Sequence, residues 1–234
     1  KNGGLAFARG DGDWKTLFGA TPFPGIHDMR TAARSKDLIA VGTGAFGLGV
    51  YDLQQRNWVP VRDLTGLEPS VPNPVRIIRE DGDKGIFWAG TERGLDRLDG
   101  HDISHRFLAD STGYDVTDVE VGESEILYLT SNKISVGRID SKLNRETLLE
   151  PNRMPFEVGE ITSAVQNQDV LWAGTREHGV QRYDLKSHRW EPVRIPTGES
   201  TYVKSATSLG YNDLTNELYV SSYAGLHVLN PSQA

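Results

Sequence analysis

Short apolar runs separated by polar, glycine-rich turns recur along the whole chain, and no segment keeps a helical period for an adequate length. The most telling run is Phe87-Trp88-Ala89-Gly90-Thr91, in which positions of both parities are apolar or small. A strand lying on one side of a core alternates apolar with polar residues, so a strand without alternation must be covered on both faces. It is preceded by runs of the type Val75-Arg76-Ile77-Ile78, Val116-Thr117-Asp118-Val119 and Ile161-Thr162-Ser163-Ala164-Val165, which read as inner strands. Polar turns such as Glu80-Asp81-Gly82-Asp83-Lys84-Gly85 and Gly210-Tyr211-Asn212-Asp213 reverse the chain between them. A third strand begins at a Gly-Leu pair and ends at a Tyr-Asp position, and a loop leads to an outer strand holding Trp14, Trp58, Phe107 or Trp190.

This grammar is a repeat. Phe87-Trp88-Ala89-Gly90-Thr91 leading to Gly94-Leu95 returns as Leu171-Trp172-Ala173-Gly174-Thr175 leading to Gly179-Val180 and Tyr183-Asp184. Degraded copies run from Ile39, Leu127 and Leu218. Taking Gly4, Gly47, Gly94, Ser135, Gly179 and Gly225 as equivalent gives intervals of 43, 47, 41, 44 and 46 residues, the length of a four-stranded propeller blade. The fold class is therefore all-β: a β-propeller of four-stranded antiparallel blades, about five in this chain. It reads as a single β-propeller domain over residues 1–234, with repeats near 1–17, 26–61, 74–107, 115–149, 158–194 and 203–230. Second strands are expected near 38–43, 86–91, 125–130, 169–174 and 216–221, with Trp172 buried between blades. The third strand occurs six times and the first copy lacks the strands that precede it. Two readings follow: a five-bladed ring sealed by N-terminal strands, or part of a larger ring.

The Leu-Trp-x-Gly-Thr strand, the Gly-Leu pair, the x-x-Tyr-Asp segment and the outer-strand Trp resemble the two-component-regulator propeller repeat, strongly around residues 86–107 and 169–194 and weakly around 125–148. That family occurs mainly in periplasmic sensor regions of bacterial hybrid histidine kinases and related exported proteins. The resemblance implies a propeller that senses or docks a partner on one end without catalysis, in a periplasmic or extracellular bacterial location. It implies a soluble portion that segments outside this chain can tether to a membrane. No kinase, receiver or DNA-binding segment is present.

Composition narrows the function classes. A formal charge of −7 over 234 residues argues against a general nucleic-acid binder, which needs surplus Lys and Arg to displace counterions. The absence of Cys excludes disulfides and thiolate metal sites. No stretch approaches the roughly 20 apolar residues of a spanning helix. Asp81-Gly82-Asp83-Lys84-Gly85 has a spacing that could offer oxygens to Ca²⁺, but Asp-Gly is a favoured turn dipeptide and the turn reading is preferred. The six His residues show no metal-binding pairing, so no metal and no cofactor are expected. Asp11-Gly12-Asp13-Trp14 lacks the full Asp-box register of sialidase-like propellers. Val136-Gly137-Arg138-Ile139-Asp140 has a faint likeness to repeats of streptogramin-lyase-type propellers, which keeps a lyase or glycosidase-like enzyme as the alternative to a non-catalytic recognition module.

Blade geometry places the binding surface. Loops joining second to third strands lie on the same end as connections joining one blade's outer strand to the next inner strand. The first set holds Gly44-Ala45-Phe46, Glu92-Arg93, Asn132-Lys133, Arg176-Glu177-His178 and Tyr223-Ala224; the second holds Phe23, Leu67, Tyr114, Phe156 and Tyr202. Aromatic and Arg side chains, the types enriched in binding hot spots, make Phe46, Arg93, Tyr114, Arg176, His178, Tyr202 and Tyr223 the candidate contacts for a protein partner or a carbohydrate-type ligand. The competing expectation is that some of these aromatics merely plug the end of the ring, since aromatics in a short loop commonly pack locally.

Overall fold

The strands fall where the repeat grammar sets them. The computed structural model describes residues 6–9, 13–16, 28–66, 73–108, 115–121, 125–130, 136–149, 161–198 and 201–231. An N-terminal hairpin pairs β1 (Ala6–Arg9) with β2 (Asp13–Thr16). The first four-stranded antiparallel sheet runs in the order β3 (Met29–Ser35), β4 (Leu38–Thr43), β5 (Leu48–Asp52) and β6 (Asn57–Val59). A two-residue strand β7 (Arg62–Asp63) follows, and then β8 (Val75–Glu80), β9 (Ile86–Thr91), β10 (Gly94–Asp99) and β11 (Asp102–Phe107) repeat the pattern. Two further sheets are β12 (Val116–Val121) through β13 (Glu125–Thr130), β14 (Val136–Asp140) and β15 (Arg145–Leu149), and β16 (Ile161–Asn167) through β17 (Val170–Thr175), β18 (Val180–Asp184) and β19 (Arg189–Val193). A small hairpin, β20 (Pro196–Gly198) and β21 (Thr201–Tyr202), precedes the last sheet, β22 (Ala206–Asn212), β23 (Glu217–Ser222) and β24 (Gly225–Leu229). The chain gathers into two compact units, Lys1–Val119 and Glu120–Ala234.

All five expected second strands are present within one residue of their expected bounds. Three details add to the repeat pattern. The turn at Asp81 closes as a 3-10 turn, Gly82–Lys84, with Gly85 left-handed at φ 74°. The strand β7 adds itself in parallel to the outer edge of β11. The last sheet has three strands among the described residues, so apolar positions that are buried elsewhere lie open there. Leu226 is 67% exposed, whereas its counterparts Leu95 and Val180 are fully buried.

The lack of alternation in the second strands is explained by what lies on either side. Phe87 and Ala89 point back into a cluster with Ala40, Val50, Val75 and Ile78 of the preceding sheet and their own inner strand. Trp172, 3% exposed, packs forward against Val203, Ala206 and Leu209. The glycine two residues after the Trp position lets the next inner strand come close. A Cβ on Gly42 would stand 2.5 Å from Val75, one on Gly90 2.8 Å from the Val116 carbonyl oxygen, and one on Gly174 3.2 Å from Ala206. At that approach the sheets bond directly. Thr31 Oγ1 accepts the Ile78 amide at 3.1 Å and Ser163 Oγ accepts the Leu209 amide at 3.1 Å. Ser35 Oγ donates to Gly82 O at 2.7 Å and accepts from the Gly85 amide at 3.0 Å.

The Tyr-Asp position also has a physical role. Aspartates are favoured where a side chain must accept amides of a following turn. Asp52 Oδ1 accepts from Gln54 and Gln55, Asp140 Oδ1 from Lys142 and Asn144, and Asp184 Oδ1 from Lys186 and Ser187. The Tyr adds an aromatic pair across to the outer strand: Tyr51 meets Trp58 at 5.3 Å edge-on and Tyr183 meets Trp190 at 4.8 Å.

Removing Trp172 as W172A is expected to cost about 3–5 kcal/mol, the range for a deleted core aromatic. Gly90→Ala should cost about 1–3 kcal/mol by overpacking against backbone. Urea unfolding checks both, and a loss under roughly 0.5 kcal/mol, the surface range, would contradict the packing.

The turn aspartates carry a pH signature. Hydrogen bonds from Asn144 hold the Asp140 carboxyl below its ordinary value, and those from Ser187 do the same for Asp184. A depressed folded pKa gives stability that is present above the unfolded value of about 4 and lost as pH falls through the folded one. Asn keeps the accepting oxygen without titrating, as Asn212 does in accepting the Leu214 amide. The double variant Asp140→Asn, Asp184→Asn should therefore lose less melting temperature than the wild type between pH 5 and 2, which a thermal melt series reads directly.

Candidate functional site

The loops at the end of the second strands are held by one repeated device. Thr43, Thr91 and Thr175 are fully buried, and a buried hydroxyl must use its donor and acceptor capacity. Each donates across its loop to the glycine that opens the third strand: to Gly47 O at 3.0 Å, Gly94 O at 2.8 Å and Gly179 O at 2.8 Å. Each accepts an amide from inside the loop: Phe46 at 2.9 Å, Arg93 at 3.2 Å and His178 at 2.9 Å. In the last sheet Ser222 takes the same part, donating to Gly225 O at 3.2 Å and accepting the Ala224 amide at 3.1 Å, with His227 Nε2 3.0 Å from its hydroxyl. The glycines are required on two counts. They adopt positive φ, 127° at Gly94 and 66° at Gly179, and a Cβ there would fall 2.3 Å from Phe107 O and 2.4 Å from Val203 O. The Gly-Thr…Gly grammar of the sequence is thus the grammar of a locked loop.

These locks present the candidate residues. In the first unit Asn73 runs between two loops: a Cβ on Gly47 would sit 3.5 Å from Asn73 O, and Asn73 Nδ2 donates to Thr91 Oγ1 at 2.7 Å. Phe46, 47% exposed, and the exposed Arg93 therefore stand on neighbouring loops. The second unit repeats the arrangement with Lys204 in place of Asn73. The Gly179 amide donates to Lys204 O at 2.7 Å, and Ala206 pairs in register with Ser222 beside the last loop. Arg176, His178 and Tyr223 accordingly surround the 203–205 connection, and Tyr223 is 90% exposed, free of its own loop. Tyr202 joins them through the short hairpin, where Val203 N donates to Ile195 O at 2.9 Å. Its ring faces the Arg194 guanidinium at 5.8 Å. Tyr114, together with Phe23, Leu67, Asn132, Lys133 and Phe156, lies outside the described residues.

The sequence reading named Tyr202 but passed over Arg194 and Lys204. A usable signal was there: Lys204 precedes β22 by the same two residues as Asn73 precedes β8, so its repeat position puts it against the loops.

A second group of ionisable residues also escaped the sequence reading. Asp96, 1% exposed, receives two hydrogen bonds from Arg106, at 2.7 and 3.1 Å, and Arg106 Nη1 lies 2.9 Å from Asp63. Burial pushes the Asp96 carboxyl up. Burial opposes ionisation of Asp63 too, but hydrogen bonds from Thr65 and the Arg106 charge hold its carboxyl below the ordinary range. Perturbed carboxylates can mark catalytic sites, yet here both are engaged by one guanidinium and serve a mechanical end. They pin β7 to β11, assisted by the fork of Arg62 on Asp102 at 2.6 Å for each bond. At the Asp81 turn, the carboxylate accepts from Trp88 Nε1 at 3.3 Å and from Lys84 at 3.4 Å. Among the described residues no three His, Asp or Glu side chains gather in a metal-holding group.

No protein-family model matches the chain, and no curated protein does. Solved structures share the fold. The extracellular domain of a B. thetaiotaomicron protein, described in its two structures as a one-component and as a hybrid two-component system, superposes with TM-scores of 0.64 and 0.61 at 18% identity. The alignment covers 92% of this chain and 28% of that one, so the chain spans little more than a quarter of its neighbour's length. The WD40 β-propeller domain of Doa1 matches with a TM-score of 0.60 at 10% identity, over 95% of this chain and 68% of that domain. The fold is that of β-propeller blades, and the likeness to a sensor-system extracellular domain stands at the level of fold.

The lock makes a measurable claim. Thr175→Val keeps the shape of the side chain while stripping the hydroxyl, taking that partner from the His178 amide while Gly179 O keeps the Thr175 amide. The expected cost is about 1–3 kcal/mol, the usual penalty for unsatisfied buried groups. Thr175→Ser should recover most of it in the same urea titration.

Proposed function

We propose that this chain is a non-catalytic recognition module that binds a protein partner through loops that follow the second strands of its blades, in a periplasmic or extracellular setting. One observation carries the reading: aromatic and cationic side chains, Phe46, Arg93, Arg176 and Tyr223 among them, stand exposed on loops whose backbones are locked from beneath by buried hydroxyls. Such pre-organisation lowers the entropy lost on binding. Rings and guanidinium groups then supply large contact area and directed hydrogen bonds. The perturbed carboxylates of Asp63 and Asp96 are committed to Arg106, which favours recognition over acid–base chemistry. The setting is supported by the repeat's resemblance to periplasmic sensor propellers and by fold likeness to the extracellular domain of a one- or two-component system.

Capture of partners from a native extract, followed by mass spectrometry, identifies the bound protein. Exchanging Arg93, Arg176 and Tyr223 together for Ala should leave the melting temperature within about 2 °C, since surface changes cost little. It should weaken binding of the captured partner at least about tenfold, or 1.4 kcal/mol. Unchanged affinity would move the binding surface away from these loops.

A further inference from the structure

The loop end of the second unit has a charge character opposite to that of the chain. Over its whole length the protein carries a formal charge of −7, and several of its basic residues elsewhere are neutralised by neighbours. Arg76 meets Glu92 and Asp115, Arg182 meets Glu191, and Lys186 meets Asp169. Around the 203–205 connection the pattern reverses. Arg176, Arg194 and Lys204 are exposed, and among the described residues none of the three is in an ion pair with a carboxylate.

Backbone hydrogen bonds hold the three together. Gly179 N to Lys204 O, at 2.7 Å, ties the Arg176 loop to Lys204, and Val203 N to Ile195 O, at 2.9 Å, ties that connection to the strand end bearing Arg194. Among the described residues Glu177 is the carboxylate within the cluster, leaving a local excess of positive charge there. Two aromatic side chains flank it. Tyr202 faces the Arg194 guanidinium at 5.8 Å and so orients that fork, while Tyr223 projects with 90% of its surface open.

We infer that this surface docks an acidic segment of a partner protein, its carboxylates received by Arg176, Arg194 and Lys204 and its backbone or apolar side chains lying against Tyr202 and Tyr223. Charge complementarity selects the occupant. Guanidinium groups bind carboxylates bidentately, and against the net negative charge of the chain an acidic ligand is drawn to a surface where cations are concentrated. The inference rests on the recognition role proposed above and specifies its chemistry.

The test is fluorescence anisotropy of the 234-residue chain with a labelled twelve-residue peptide of alternating Glu and Gly, against matched Gln/Gly and Lys/Gly peptides. The Glu peptide should bind in preference to both others, and its affinity should fall steadily as salt rises from 50 to 300 mM, because screening weakens exposed charge pairs. Exchanging Arg176, Arg194 and Lys204 for Ala should weaken it at least about tenfold, restoration of Arg194 as Lys should return part of the loss, and Lys186→Ala should leave it unchanged. Equal binding of the Glu and Gln peptides, insensitivity to the triple exchange, or binding of heparin without binding of the Glu peptide would each overturn the inference. If the triple exchange abolishes capture of the natural partner while the Glu peptide never binds, the recognition surface stands and only its acidic chemistry falls.

Discussion

The close approach of each inner strand to the second strand of the sheet before it is the constraint on which the rest of this structure depends. At Gly42 and Gly90 there is no room for a Cβ, and at Gly174 one would be tight. Because the strands come so near, hydroxyls on one inner strand reach amides on the next, as Thr31 does with Ile78 and Ser163 with Leu209. The same proximity covers both faces of the second strands Leu38–Thr43, Ile86–Thr91 and Val170–Thr175, so Trp88 and Trp172 are almost wholly enclosed and the alternation of an ordinary half-buried strand disappears there. Where the glycine is replaced by Ser221, in the last sheet, the following third strand lies open.

The locked loops are a consequence of that packing. A second strand buried on both faces delivers its terminal Thr into the interior, where the hydroxyl cannot turn to water and must close a ring with the glycine carbonyl and a loop amide. Three loops share the device with Thr and a fourth with Ser222. The stability of the blade and the rigidity of the proposed contact surface therefore have one origin. Side chains beyond the lock are free to differ, which is why Phe46, Arg93, His178 and Tyr223 can occupy related loops of one repeat without disturbing it.

Charge follows a parallel logic. The acidic residues of the sheets are largely absorbed by structural tasks, as turn acceptors at Asp52, Asp140 and Asp184 or as clamps at Asp63 and Asp96. Removing one member of the buried clamp would strand the others without compensation, which is costlier than losing a surface pair. Cations at the loop end of the second unit have no such structural duty among the described residues, and they stand on the same hydroxyl-locked framework.

Much of this was legible in the sequence because it is local or periodic. The glycine, the Thr and the Asp of each repeat are demanded by turns and close approaches that recur at fixed spacing, so the strands, their order within a blade and the burial of Trp172 follow from reading one repeat against another. What the sequence did not disclose is what joins residues far apart along the chain without a repeat to announce it. Asp63, Asp96 and Arg106 form their cluster only because β7 doubles back along β11, and a two-residue parallel strand has no periodicity to read. Arg194 and Lys204 flank Tyr202 as ordinary surface residues until the Gly179 and Val203 amides draw their segments together. The sequence by itself determined the blade, since each blade is specified by spacing and turn chemistry. Only the tertiary structure decided which charges are spent on holding blades in place and which remain facing solvent, because that depends on distances between segments that no local pattern encodes.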